Sequence, residues 1–119
     1  MITIIEKTYT FTTESDAKIV EKIVSTDDVQ IIHMIFKKGD STPTHYANSN
    51  VYLIVVDGEM TLTLEDQEPK LYPAGTIINV PYNTKMLVEN KTCENMEFFV
   101  IKAPHPLKLG APEAPRKVE

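Results

Sequence analysis

Three histidines, His33, His45 and His105, are the side chains of this chain best suited to proton transfer near neutral pH or to ligating a transition metal. His45 has the richest surroundings in sequence. Tyr46, Asn48, Ser49, Asn50 and Tyr52 follow it closely and bring phenols, carboxamides and a hydroxyl that could orient a bound molecule. Tyr82 and Met86 lie further along. A zinc, iron, nickel or manganese centre usually draws at least three protein ligands from His and carboxylates, so a metal here would require the separated histidines to converge. His33 lies in VQIIHMIF, where alternation puts it on one face with Ile31 and Ile35, and it reads as a partly buried, hydrogen-bonded histidine. His105, between Pro104 and Pro106, reads as exposed. Cys93 is the only cysteine, so there is no internal disulfide, and its stretch NKTCEN reads as a hairpin loop.

Strands must position these groups. Apolar and β-branched runs recur at ITII, TYTF, KIVEKIV, VQIIHMIF, VYLIVV, MTLTL, TIINV, KMLVE and MEFFVI, separated by turn-rich breaks, as in an antiparallel barrel or sandwich. Asp57-Gly58, between VYLIVV and EMTLTL, is a two-residue hairpin signal. In MTLTL, Met60, Leu62 and Leu64 share one face and Thr61 and Thr63 the other. SDAKIVEKIV also fits helical spacing, but its β-branched residues favour a strand. From Ala103 the composition changes: APHPLKLGAPEAPRKVE holds four of the eight prolines and does not suit a sheet ladder. The chain therefore divides into a domain over 1–103 and a Pro-rich tail over 104–119, either disordered or a clasp with Pro104, Pro106 and Leu107 over the barrel or a neighbouring subunit.

A chain of 119 residues is near the usual size of one domain and buries a modest core. Its formal net charge is −5 and no Lys/Arg cluster interrupts that balance, which argues against nucleic acid as a partner. No segment approaches the roughly 18 apolar residues of a membrane span. MITIIEKTYTF lacks a basic stretch followed by a long apolar run, so a cytoplasmic protein is expected. ITIIEKTYTF reads as an edge strand open to pairing with a second copy, hence a homodimer.

Three of the four glycines frame two motifs. The first runs from Gly39 through DSTPT to His45 and closes at Gly58; the second reads Gly75-TIINV-Pro81-Tyr82-Asn83-TK-Met86-LVE-Asn90. Over 39–90 the chain resembles the cupin family, whose first motif is Gly, five residues, His-x-His, three or four residues, Glu, six residues, Gly. The family's second motif is Gly, five residues, Pro-x-Gly, two residues, His, three residues, Asn. The resemblance implies an all-β fold, a single-domain RmlC-like antiparallel β-barrel or jelly roll. It also implies homodimers in which N-terminal strands pack across the interface.

The metal-binding side chains of the pattern are largely replaced. Ala47 stands for the second His, Val51 (or Tyr52 at the longer spacing) for the Glu, and Met86 for the second-motif His, leaving His45 as the retained ligand position. Asn83 replaces the Gly of Pro-x-Gly and tolerates a left-handed backbone. By the family's arrangement His45 projects into the barrel beside Ala47, Val51 and Met86. No metal or other cofactor is expected, and Met86 reads as a core filler rather than a copper ligand.

Two functions follow. The first is a small organic ligand bound inside the barrel by His45, Tyr46, Asn48, Asn50, Tyr52, Tyr82 and Met86, without an assigned reaction. The second is an enzyme: a metal-independent isomerase or epimerase with His45 as acid–base, or a metal-dependent dioxygenase or isomerase with unusual ligands, a transition metal then held with help from His33 or His105. For the acid–base form, Glu89 or Glu97 is the carboxylate that folding could bring to His45, since Asp40 and Asp57 belong to strand ends or turns.

Overall fold

A computed structural model describes residues 2–3 and 5–118. In chain order its strands are β1 (Ile19–Ser25), β2 (Gln30–Lys37), β3 (His45–Tyr46), β4 (Val51–Asp57), β5 (Glu59–Leu64), β6 (Lys70–Pro73), β7 (Ile77–Val80), β8 (Lys85–Glu89) and β9 (Asn95–Lys102). One antiparallel sheet runs β1-β2-β9-β4-β7 and a second runs β3-β8-β5-β6. The two sheets face each other across the core, giving the antiparallel all-β architecture expected from the strand pattern and the jelly roll that the family resemblance implies.

Period-two alternation decides which side chains fill that core. On β9, Met96, Phe98, Val100 and Lys102 are buried while the residues between them are half-buried. Leu53 and Val55 of β4, Met60 and Leu62 of β5 and Met86 and Val88 of β8 complete the apolar interior. SDAKIVEKIV forms a strand, since β1 pairs with β2 from Ile19 opposite Ile35 to Ser25 opposite Gln30. Thr61, expected on an outer face of β5, is buried as well.

Both expected hairpins are crossings between sheets. β4 pairs with β7 and β9, and β5 with β6 and β8, so Asp57-Gly58 carries the chain from one sheet to the other. A type I′ turn needs positive φ at two successive residues; here Gly58 has φ 77 and Asp57 is not in that region. The NKTCEN stretch also crosses between sheets, from β8 to β9. Asn90 holds that corner: its buried amide donates to the carbonyls of Phe36 (2.9 Å) and Cys93 (3.0 Å), and its Oδ1 accepts from the Cys93 N–H (3.1 Å).

TYTF forms no strand, and ITII includes residue 4, which lies outside the described residues. Ile5 and Tyr9 are exposed, whereas Phe11 folds back onto His33 and Phe99 with centroids 4.8 and 5.1 Å away. The tail is a clasp. After a single 3-10 turn, Pro106–Leu109, it runs across the barrel mouth, where the Tyr46 N–H donates to the Arg116 carbonyl and the Val118 N–H to the Thr44 carbonyl, both at 2.9 Å. Proline is confined to Pro112 and Pro115 there, which frees Arg116 to Val118 to pair against His45. Pro106 is buried, but Leu107 faces outward.

Candidate functional site at the barrel mouth

The motif positions converge. His45 stands opposite Met86 in the β3–β8 ladder, Ala47 follows on the same strand face, and Val51 opens β4. The left-handed turn at Asn83 (φ 67) sets this arrangement, because the Asn83 N–H donates to the Ala47 carbonyl (2.7 Å) and the Ala47 N–H to the Thr84 carbonyl (2.9 Å). His45, Ala47, Val51 and Met86 all line one cavity of about 360 Å³ between the sheets. Ile32, Leu53, Val88, Phe98 and Val100 make its walls apolar. Apart from Thr42, whose hydroxyl accepts from the Val88 N–H (3.1 Å), its polar groups collect at the mouth: Lys22, Gln30, His45, Asn48, Lys102 and, from the clasp, Glu113 and Lys117.

His45 is half-buried and its Nδ1–H donates to the Pro43 carbonyl (2.8 Å), which leaves Nε2 as the ring's acceptor. Burial pulls its pKa below the ordinary histidine value, the Pro43 bond opposes that, and the charge of Lys102 adds to it. Asn48 ties the mouth to the clasp by donating to the carbonyls of Pro112 (2.9 Å) and Glu113 (2.8 Å), while its buried Oδ1 has no partner among the described residues.

The other candidates lie elsewhere. Tyr46 and Tyr82 line a separate depression of about 270 Å³ with Asn83 and Arg116, whose guanidinium sits 4.4 Å from the Tyr46 ring centroid. Tyr52 points outward because it alternates with inward Val51 and Leu53 on β4. Asn50 accepts from the Asn79 amide (2.9 Å) outside the cavity.

Neither remaining histidine rebuilds a metal centre. His33 is fully buried on the outer face of β2, its Nδ1 3.0 Å from Glu21 and its Nε2 2.7 Å from Glu97. The two ring nitrogens point in opposite directions, so these carboxylates flank the imidazole instead of sharing a point with it. Glu97 therefore serves His33 and not His45. Glu89 pairs with Lys91 at 3.7 Å. His105, expected to be exposed, is buried because its Nδ1 caps the 3-10 turn at the Leu107 N–H (3.1 Å) and its Nε2 lies 3.4 Å from the Gln30 amide. No group of three His, Cys, Asp or Glu that could hold a metal occurs among the described residues. One imidazole beside Ala47, Val51 and Met86 does not fit the family's metal.

Sequence reasoning missed Lys102. Its signal was the alternation itself: extending Met96, Phe98 and Val100 by two residues puts Lys102 on the core face. It is 6% exposed, and its pKa is pulled down to about 8, first by burial and then by the charge of Lys22, with Glu113 opposing.

A cupin domain model matches residues 32–102. The chain belongs to the cupin family. It is 55% identical over 115 residues to the uncharacterised protein MJ0764 of Methanocaldococcus jannaschii, covering 97% of this chain and 99% of that protein. The crystal structure of that RmlC-like cupin, described as a double-stranded β-helix, superposes with a TM-score of 0.88 at 53% identity, covering 92% of this chain and 100% of the other. A cupin superfamily protein from Desulfitobacterium hafniense shares the fold at a TM-score of 0.68 and 17% identity, covering 79% of this chain and 84% of the other. No helix among the described residues is long and apolar enough to cross a membrane.

Proposed function

We propose that this cupin binds a small organic molecule between its two sheets, its apolar body against Leu53, Phe98 and Val100 and its polar end toward Lys102, His45 and Asn48. The observation that carries the reading is a mostly apolar space of about 360 Å³ with polar groups converging at one end, the usual form of a small-molecule site. The donor set at the motif positions supports binding without a resident metal. Toluene titrated into isotope-labelled protein tests the reading: shifts of the Ala47, Val51 and Val100 amides, lost in an Ala47→Phe variant that fills the space, are expected. No shift at those amides would overturn it.

An acid–base version of the site draws support from His45, whose pKa burial lowers and whose Nε2 is free to accept a proton. It requires that His45→Ala abolish turnover of an identified substrate while the fold survives.

The reading places the protein in the cytoplasm as a homodimer, the latter supported by the exposed Ile5 and Tyr9. A monomeric mass by light scattering at micromolar concentration would remove the dimer.

A further inference from the structure

Lys102 is held where a lysine rarely sits. It closes the core face of β9, the central strand of its sheet, with Gln30 on one side and Val51 on the other. Ladders on both flanks prevent the backbone from turning the side chain out, and only 6% of the residue reaches solvent. Its ammonium has no salt bridge among the described residues. The carboxylate that faces the same mouth, Glu113, is bonded to Lys22 at 3.0 Å, so two lysines share one acid. Lys117, Gln30 and His45 complete the polar rim and supply no further negative charge.

A lysine desolvated in an apolar pocket beside a second cation is the arrangement that yields a nucleophilic amine near neutral pH. We propose that the Lys102 amine condenses reversibly with a small aldehyde or ketone seated in the cavity, forming an imine. The proposal rests on the cavity-binding reading and deepens it by naming the reactive group of the ligand. In the step, the Nζ lone pair attacks the carbonyl carbon and the C=O electron pair moves to oxygen. Proton transfer from nitrogen to that oxygen gives a carbinolamine. The oxygen then takes a second proton and leaves as water as the nitrogen lone pair forms C=N, and the resulting iminium loses its remaining N–H proton to give the imine, so that one water is released and no net proton or electron is gained or lost. His45, on the opposing sheet and lining the same cavity, is placed to exchange those protons. The lowered Lys102 pKa agrees with this by leaving an appreciable share of free amine near neutral pH.

Acetylacetone is a suitable probe. It is small enough for the cavity, and its condensation with a free amine gives a conjugated enaminone that absorbs in the near ultraviolet and is located by peptide mass mapping. The expected result at pH 7 is one adduct, at Lys102, formed about tenfold or more faster than at any exposed lysine, given the larger free-amine fraction of a low-pKa lysine. Lys102→Met and Lys102→Arg should both lose it. Toluene binding, followed in the same protein preparations before acetylacetone is added, reports independently on fold and cavity. Toluene bound with no Lys102 adduct, or with label spread evenly over the exposed lysines, overturns the imine and leaves the cavity reading standing. Loss of both toluene binding and the adduct in the wild-type protein overturns both.

Discussion

His45 faces Met86 directly across the β3–β8 ladder, so the retained ligand position of the first motif and the substituted one of the second are cross-strand neighbours. Opposed residues in an antiparallel pair hold their Cβ atoms about 5 Å apart, close enough for two imidazoles to share one ion. Ala47, also on the cavity wall, marks the third position. The geometry of a metal site is thus retained while its donors are changed.

Restoring the donors should restore the metal. An Ala47→His/Met86→His variant adds two imidazoles to His45 and reaches the three protein ligands typical of an open zinc site. Elemental analysis after dialysis against zinc is expected to find near-stoichiometric metal in the variant and little in the wild type. Tightly held metal in the wild type, lost on His45→Ala, would contradict the degenerate site.

Removing the buried charge of Lys102 should stabilise the fold. Its folded-state pKa, about 8, lies below the ordinary lysine value of 10.5, so between those pH values the unfolded chain holds more protons and stability rises with pH. Below pH 8 both states are protonated and the cost of burying the charge is present in full. Lys102→Met, which keeps the length of the side chain, is expected to gain at most about 3 kcal/mol at pH 7 and to lose the rise above pH 8. Urea unfolding of both proteins at pH 7, 8, 9 and 10 measures the difference; parallel pH profiles would show that Lys102 is solvated.

How much of this was legible depended on whether the information was local. The spacing of Gly39, His45, Gly75 and Asn90 carried the fold through its resemblance to the cupin motifs, and the period-two runs between those turns showed which residues face inward. Strand partners were not legible at Asp57-Gly58, where the same dipeptide serves a hairpin or a sheet crossing and only the long-range pairing of β4 with β9 decides between them. His105 looked exposed by its prolines, yet capping the 3-10 turn buries it. Tyr52 looked like a site residue by its nearness to His45, whereas one residue of register from Val51 sends it outward. Lys102 was readable from β9 alone but lay beyond the motifs that drew attention.

Loosening the clasp should cost stability at a single side chain. Asn48 donates to the carbonyls of Pro112 and Glu113 and is almost fully buried. Asn48→Ala leaves both carbonyls without that donor and is expected to cost about 1–3 kcal/mol. Faster amide hydrogen exchange at Tyr46 and Val118, the backbone donors that join the clasp to Thr44–Tyr46, should accompany it. Unchanged exchange at those two amides would mean that the backbone pairs hold the clasp alone.

Gly58 should tolerate substitution far less well than Gly39. Both have positive φ, 77 and 96, so an alanine is strained at either position by a backbone term of about 1–3 kcal/mol. Their surroundings differ: a Cβ at Gly39 meets nothing within 4 Å, while one at Gly58 comes 2.4 Å from the Asn95 carbonyl oxygen and 3.1 Å from the Met96 Cα. Those are backbone atoms where β9 begins, and they can yield only if the corner joining β4 to β5 moves against the other sheet. Gly39→Ala is expected to lose about 1–2 kcal/mol and Gly58→Ala at least about 2 kcal/mol more, read from urea midpoints at unchanged slope. Equal losses would show that the crossing can shift without disturbing the pairing of β4 with β9, and that this corner does not set the distance between the sheets.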